Sequence, residues 1–498
     1  MAQCAMRTER NSSGFLGHAA TYAVGTIARR VVGFVMLPIY TRFLSPADYG
    51  AIGLLTFSLA FFEPLFGARL IHAVPKFYFD AVDRQGRRAV IWSALGLTCV
   101  VSLMSMTGLV LFRAAGSQIL FGSHKYALAL GVFAGNLVSL PIENAGMMYL
   151  RLRQSSRLFL AVSMGKLALQ VGLNLLLVVH LRDGVLGVVL SSVASSVAVG
   201  TVLMLYTAVH EAPIFDWVLA RRMVQYCWPL WLSGIAGLYI GSSGAMYLRV
   251  FDTLTDVGLL ELGLRFATAV SLLVWTPFLQ QWEPMSYRYY KEENGRWKFR
   301  VAFISSAAMM FAVGLGVSIF AQPVISAMAA KSFYGAAEVI PILTLGFIAN
   351  NLMSFFNFSF LATGNTRISS ACLYVIACFM TITYFALVPR FGLVGAAVAQ
   401  CLAFIVGTVY VGRLSRRYFD PEFDVGSVVV FALICIAASV SADVLFRTQG
   451  MGIDLLFKSL VFLSAVGLMA LIAIRAIRAT NIAALDGLPW PLHLLRHG

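Results

Sequence analysis

Apolar stretches, each about 18 to 25 residues long, recur along the chain from Phe15 to Arg475. Each is close to the length that an α-helix needs to cross the hydrocarbon core of a bilayer. The polar segments between them are short, so no separate extramembrane domain is expected. The pattern predicts an all-α integral membrane protein with about 14 transmembrane helices. The predicted spans are 15–40, 49–70, 90–112, 126–150, 158–180, 185–206, 226–249, 257–280, 301–320, 339–362, 368–388, 392–412, 426–446 and 455–475.

Short motifs repeat along the chain at one offset of about 208 residues. Six predicted helices, an even number, separate the two copies, so both copies would have the same orientation in the membrane. The repeat predicts two pseudo-symmetric six-helix lobes followed by two C-terminal helices. The predicted segments are an N-terminal tail 1–13, an N-lobe 14–210, a C-lobe 211–420, two helices in 421–478 and a tail 479–498. The matching motifs are Asp48-Tyr49-Gly50 with Asp256-Val257-Gly258, Tyr126 with Tyr334, and the turns 182–187 and 390–395.

Composition and charge fit this interpretation, since 59% of the residues are hydrophobic and only 12% are charged. A soluble domain carries roughly twice that charged fraction. With a cytoplasmic N-terminus, about 23 Lys and Arg fall in the inner segments and 8 in the outer ones, a strong positive-inside bias. The bias predicts an inner-membrane protein with both termini cytoplasmic, and it accounts for the net charge of +15 without a nucleic-acid partner.

The sequence contains none of the common motifs for metal binding, nucleotide binding or covalent catalysis. The seven cysteines have no paired spacing, and there is no GxxxxGK[ST] loop, HExxH or GxSxG motif. We therefore expect no cofactor and no enzyme activity.

Basic residues inside the predicted spans are the candidates for chemistry. They are Arg29, Arg30, Lys166 and Arg265, with Arg69 close to a helix end. A charge at mid-bilayer costs on the order of 3 kcal/mol on insertion scales, so each needs a partner or a polar cavity.

The segment around the first predicted turn resembles a known family. Its motifs are an arginine in span 1, then Gly33-Phe34, Leu37-Pro38, Tyr40-Thr41-Arg42 and the turn Leu44-Ser45-Pro46-Ala47-Asp48-Tyr49-Gly50. Together with Val388-Pro389-Arg390-Phe391-Gly392, they resemble the polysaccharide transporter family. This family comprises the Wzx-type O-antigen and exopolysaccharide flippases of the multidrug/oligosaccharidyl-lipid/polysaccharide exporter superfamily. The resemblance implies a two-lobed flippase that moves an undecaprenyl-pyrophosphate-linked oligosaccharide through the membrane lipid, from the cytoplasmic to the periplasmic leaflet. A polysaccharide polymerase and chain-length machinery are further candidate partners.

The basic residues could bind the pyrophosphate head group of such a substrate. Arginine suits this role because it stays charged and can donate two parallel hydrogen bonds to phosphate oxygens. Arg30 is the leading candidate for substrate binding, with Arg29, Arg265, Lys166 and Arg69 as further contacts. Other interpretations are an ion pair between Arg30 and Glu63, a local pair between Arg265 and Glu261, and a Lys166 side chain that reaches the interface.

Two acidic residues, Glu63 and Glu143, lie deep in the predicted N-lobe. A buried carboxylate that takes up a proton could couple transport to an ion gradient. The alternative is a fixed counter-ion to Arg30 or Lys166. Aromatic residues, of which Trp275 and Trp282 are examples, could stack on sugar rings or belong to the interfacial belt.

Two other functions remain as hypotheses. A multidrug exporter of the same superfamily would favour an acidic cavity, whereas the charges within these spans are mainly basic. A membrane glycosyltransferase or O-antigen polymerase would need a large outer loop or an acidic metal-binding motif, and the sequence shows neither.

Overall fold

The computed structural model describes residues 36–66, 70, 73–292, 295–444 and 451–478, with side chains except those of 60–66, 228–233, 443–444 and 451–453. These residues form an all-helical fold, which confirms the predicted fold class. The chain divides into two compact units, Met1–Arg249 (unit 1) and Val250–Gly498 (unit 2). The lobe boundaries predicted above stay a prediction.

Unit 1 contains the first helices of the described chain. They are α1 (Leu37–Phe43), α2 (Pro46–Phe66), α3 (Val74–Asp80), α4 (Arg84–Leu111), α5 (Arg113–Phe121), α6 (Ala127–Phe133), α7 (Asn136–Leu152), α8 (Ser156–Asn174), α9 (Gly184–His210) and α10 (Trp217–Phe251), whose last residues belong to unit 2. A 3₁₀ turn, His124–Tyr126, precedes α6, and a π-helical segment, Leu175–His180, extends α8.

Unit 2 continues with α11 (Leu254–Val270), α12 (Thr276–Tyr290), α13 (Arg296–Ile319), α14 (Ala321–Met328), α15 (Ala336–Ala362), α16 (Thr366–Ser415), α17 (Val425–Val444) and α18 (Met451–Arg478). The π-helical segment Ser271–Trp275 joins α11 to α12, and the 3₁₀ turn Lys331–Phe333 precedes α15.

Ten helical segments of the described chain are long and apolar enough to cross a membrane. The helix α16 is 50 residues long and contains two of the predicted spans, 368–388 and 392–412. The chain kinks at Gly392, where φ is 50° and ψ is −126°, so the two spans form separate helical segments. The predicted span 15–40 lies almost entirely outside the described residues. The total of 14 helices therefore stays a prediction.

The internal repeat is visible at the N-terminus of α2 in unit 1 and at the N-terminus of α11 in unit 2. In unit 1, the Ser45 hydroxyl accepts a hydrogen bond from the Asp48 backbone N–H (3.2 Å) and donates one to its carboxylate (2.7 Å). In unit 2, Thr253 and Asp256 form the same reciprocal pair, 208 residues later. Such a cap satisfies backbone donors that the first turn of a helix leaves free. The repeated sequence motif thus marks the same local structure in both units.

The repeat is not free of gaps, contrary to the single offset found in the sequence. Gly184 and Gly392 both have positive φ and are 208 residues apart, but the hairpin turns at Gln154 and Gly364, also with positive φ, are 210 apart. Unit 1 therefore has two more residues between its hairpin turn and its glycine. The π-helical segment Leu175–His180 accommodates part of this surplus, because π-helical turns contain an additional residue.

Asp252, next to the cap of α11, provides a test of local electrostatics. Its burial, together with the charge of Asp256, raises the pKa of the Asp252 carboxyl. A carboxyl whose pKa is raised by folding stabilises the fold only at acidic pH, and this contribution is lost as the pH rises through the folded-state pKa. We expect Asp252→Asn to have a higher melting temperature than the wild type at neutral pH. The difference should vanish as the pH falls toward the ordinary pKa of aspartate, and a less stable variant at neutral pH would contradict this prediction.

Candidate functional site

Two of the predicted site residues meet in unit 1. The Lys166 ammonium on α8 lies 2.5 Å from the Glu143 carboxylate on α7, and both side chains are largely buried. The Glu143 side chain is 3% exposed and that of Lys166 is 13% exposed. The sequence left open whether Glu143 pairs with Arg30 or Lys166. In the structure, its partner is Lys166.

The hairpin of α7 and α8 brings the two side chains together. Its turn is closed by a hydrogen bond from the Ser155 N–H to the Leu150 carbonyl, and Gln154 has a φ of 55°. Glu143 lies 11 residues before Gln154 and Lys166 lies 12 residues after it. Antiparallel helices bring residues equally distant from the turn to the same level. At 1.5 Å per residue, the pair lies about 15 Å from the hairpin end, halfway across a bilayer of about 30 Å.

Helix α9 lies on the Glu143 side of the pair. A Cβ atom at Gly200 would lie 3.4 Å from the Ser139 carbonyl and 3.7 Å from the Glu143 N–H nitrogen. These are ordinary van der Waals distances, so α9 packs on α7 beside Glu143. Three buried serine hydroxyls of this region, on Ser139, Ser163 and Ser196, have no hydrogen-bond partner among the described residues. Ser139 and Ser163 lie one helical turn before Glu143 and Lys166 respectively, so they share the faces of the charged residues.

The same hairpin in unit 2 contains no charge at the corresponding level. Its turn is closed by the equivalent hydrogen bond from the Asn365 N–H to the Phe360 carbonyl, and Gly364 replaces Gln154. Counting the same distances from Gly364 gives Met353 and Ile376 in place of Glu143 and Lys166. Because apolar residues occupy the corresponding positions of unit 2, this type of hairpin does not require an ion pair there. A buried ion pair also costs desolvation that an apolar pair avoids. The charges in unit 1 therefore point to a function beyond packing.

Arg265 lies on α11 of unit 2 and is partly buried. Glu261 lies one turn earlier on the same helix, within electrostatic range of the guanidinium group. This placement agrees with the local pairing considered from the sequence.

The other predicted site residues cannot be located. Arg29, Arg30 and Arg69 lie outside the described residues, and Glu63 lies in the part of α2 whose side chains are not described. Of the three candidates whose side chains are described, Glu143, Lys166 and Arg265, the structure thus brings together Glu143 and Lys166.

A polar cluster around Glu211 was missed by the sequence analysis. The Glu211 carboxylate, just after α9, accepts hydrogen bonds from Arg88 (3.0 Å) and from the hydroxyl of Tyr149 (3.3 Å). Trp92 donates to the Glu211 carbonyl at 2.9 Å. These bonds tie the ends of α4, α7 and α9 together on the hairpin side of the ion pair. The sequence contains no local signal for this cluster, because the partners of Glu211 are more than 60 residues away.

The aromatic residues considered for sugar stacking are part of the core of unit 2. Trp282 stacks on Phe278, with ring centroids 5.8 Å apart, and contacts Phe299 edge-on at 5.1 Å. Trp275 and Trp282 are both buried. Their side chains therefore belong neither to an interfacial belt nor to an open sugar platform.

Comparison with protein families identifies the chain at a general level. The family model described as "Polysaccharide biosynthesis protein" matches residues 16–290, more than half of the 498 residues. The chain belongs to this family. The resemblance inferred from the motifs of residues 25–50 is thereby confirmed. The segment matched to the polysaccharide biosynthesis family includes Glu143, Lys166 and Arg265.

Solved structures show the same fold for this member of the family. A lipid II flippase MurJ in an inward closed conformation matches 92% of this chain and 99% of its own, with a TM-score of 0.73 and 13% identity. An inward-facing multidrug resistance MATE family transporter of the MOP superfamily matches 78% of this chain and 94% of its own, with a TM-score of 0.57 and 15% identity. The MATE multidrug transporter DinF-BH matches 81% and 95%, with a TM-score of 0.55 and 14% identity. The protein thus has the fold of multi-pass membrane flippases and transporters.

Comparison with curated protein sequences found no significant match.

Proposed function

We propose that the protein is a flippase that moves an undecaprenyl-pyrophosphate-linked oligosaccharide across the bacterial inner membrane by alternating access. The oligosaccharide would be an O-antigen or exopolysaccharide repeat unit. Membership of the polysaccharide biosynthesis family carries this proposal. The likeness to a lipid II flippase over 92% of the chain supports it, since that fold accommodates flippase activity.

The predicted charge distribution supports transport from the cytoplasmic to the outer leaflet. Both termini and most basic segments would face the cytoplasm, where the lipid-linked precursor is assembled. The protein would act as a secondary transporter and not as an enzyme. A polysaccharide polymerase and chain-length machinery would take over its product on the outer side.

Basic residues within the spans would bind the pyrophosphate. Arg30 is the leading contact, with Arg29, Arg69, Arg265 and Lys166 as further candidates. Arginine can contribute paired charge-assisted hydrogen bonds to phosphate oxygens without losing its charge. Glu143 and Glu63 are the candidates for ion coupling, and Glu143 already has a cationic partner in the described structure.

The alternative, a multidrug exporter, is favoured by one observation, the likeness to MATE transporters. That likeness covers less of this chain than the likeness to the lipid II flippase, and its TM-scores are lower. Deletion of the gene distinguishes the flippase from the exporter. Deletion of the gene should abolish surface glycan and leave drug susceptibility unchanged if the protein is a flippase, whereas an exporter would show the opposite result.

Arg30 provides the specific test. In a deletion strain, Arg30→Ala is expected to restore glycan export about 10 to 100 times less effectively than the wild type, because charge-assisted hydrogen bonds contribute about 1.5–3 kcal/mol each. Arg30→Lys should give an intermediate result, since lysine keeps the charge but loses the paired geometry. Surface glycan and accumulated lipid-linked precursor would be measured at matched protein levels.

Arg367→Ala, at an exposed helix start outside the spans, is the matched control and should export normally. Full export by both Arg30 variants would show that Arg30 does not bind the substrate.

A further inference from the structure

Among the described side chains, the ion pair of Glu143 and Lys166 lies at least about two helical turns from other charges, the other charge on α7 being Arg151, eight residues after Glu143. No charged residue lies between Ala89 and Leu111 on α4 or between Gly184 and Val209 on α9, two of the helices that pack against α7. On α8, the other charged residue is Arg157, about two and a half turns from Lys166. Among the described side chains of α2, the only charge is Asp48 at the helix start. Glu143 and Lys166 therefore neutralise each other.

The two partners differ in how far they are open to other molecules. Lys166 is 13% exposed, whereas Glu143 is 3% exposed. An ammonium group has three N–H donors, and the Glu143 carboxylate takes one of them here. Lys166 therefore has donors left for an anion, and it is the more exposed partner of the pair.

A second anion on Lys166 would create an excess negative charge in a region from which water is largely excluded. Two carboxylate or phosphate charges that share one cation repel each other strongly at low dielectric constant. One proton on Glu143 removes the excess, because a protonated carboxyl is neutral and can donate a hydrogen bond. The buried hydroxyls of Ser139 and Ser163 lie one turn away and lack partners among the described residues, so they are available to a carboxyl that leaves Lys166.

We propose that Glu143 and Lys166 form a charge-exchange site, in which binding of a phosphate oxyanion to Lys166 and uptake of one proton by Glu143 are a single event. The inference rests on the proposed function, since the phosphate of the lipid-linked substrate would be the anion. The exchange is balanced. The empty site contains one ammonium and one carboxylate, and the occupied site contains the ammonium, one negative charge on the anion and a neutral carboxyl. Release of the anion returns the proton.

Calorimetry of the purified full-length protein in detergent tests the exchange. The probe is dibutyl phosphate, which stays singly charged over the pH range used. Titrations in buffers of different ionisation enthalpy measure the protons taken up per anion bound. We expect about one proton for the wild type, and an affinity that falls up to about tenfold for each unit of pH above neutrality.

Glu143→Gln is the decisive variant, because it keeps the shape of the side chain and removes the charge. It should bind the probe at least as tightly as the wild type, without proton uptake and without dependence on pH. Lys166→Met should not bind it at the site. Asp454→Asn is the matched control, because Asp454 lies 3.0 Å from another buried lysine, Lys458, on α18. This control should keep the proton uptake of the wild type.

Three results would overturn the charge exchange. They are binding without proton uptake by the wild type, unchanged proton uptake by Glu143→Gln, and no binding of the probe by the wild type at any pH. Each of them is compatible with the flippase function if deletion of the gene abolishes surface glycan. If deletion leaves surface glycan intact, the flippase proposal itself fails, whatever the calorimetry shows.

Discussion

Lys166→Ile is expected to destabilise unit 1 by about 3–5 kcal/mol, because it leaves the Glu143 carboxylate buried without its counter-ion. Glu143 is 3% exposed, so its carboxylate has almost no contact with solvent. Glu143→Met should cost less. Lysine has a long aliphatic chain, Lys166 is already partly exposed, and the ammonium can move toward solvent.

The double variant Glu143→Met with Lys166→Ile copies the corresponding pair of unit 2, Met353 and Ile376. It should be about as stable as the wild type or more stable, because an apolar pair of similar volume avoids the desolvation cost. Thermal unfolding of the purified proteins, followed by tryptophan fluorescence, would rank all three variants. A double variant that is less stable than Lys166→Ile alone would show that the ion pair is needed for packing, contrary to the comparison of the two hairpins.

The second large effect is expected at Gly392. This residue has a φ of 50° and a ψ of −126° within α16, a conformation that L-residues with a side chain rarely adopt. A Cβ atom there would also overlap the carboxylate of Asp252. Gly392→Ala should therefore lower stability by about 2–3 kcal/mol from backbone strain alone, with a further loss from the overlap.

A variant of Gly184, the equivalent residue of unit 1, distinguishes backbone strain from overlap with the Asp252 side chain. The φ of Gly184 is 55°, but a Cβ atom there would meet nothing within 4 Å. Gly184→Ala should lower the melting temperature less than Gly392→Ala does. Combining Gly392→Ala with Asp252→Ala should recover the part due to overlap. Equal losses for both single variants would show that the Asp252 contact is unimportant.

The two units use one architecture for different interiors. At the level where unit 1 has an ion pair and buried serines, unit 2 has Met353 and Ile376, and its core nearby is built from stacked aromatic rings such as Phe278 and Trp282. Repeats that diverge in this way keep the helix caps and turns that define the fold. They differ in the side chains that a substrate or ion would meet.

Much of the fold was accessible from the amino-acid sequence because its signals are local. The length of a membrane span can be counted directly from a run of apolar residues. A Ser-x-x-Asp or Thr-x-x-Asp cap forms within four residues, as at Ser45 and Thr253. The glycine turns at Gly184 and Gly392 are local as well, and they mark the repeat. The family resemblance also came from a contiguous run of residues around the first turn.

The ion pair, the register of the repeat and the Glu211 cluster could only be decided by the tertiary structure. The sequence offered Lys166 as one of two counter-ions for Glu143, but which cation meets which carboxylate depends on the rotation of two helices about their axes. The two-residue shift between the hairpins of the two units is accommodated in part by the π-helical segment Leu175–His180, which a hydropathy pattern does not reveal. Glu211 finds its partners on distant helix ends, and only packing brings those ends together.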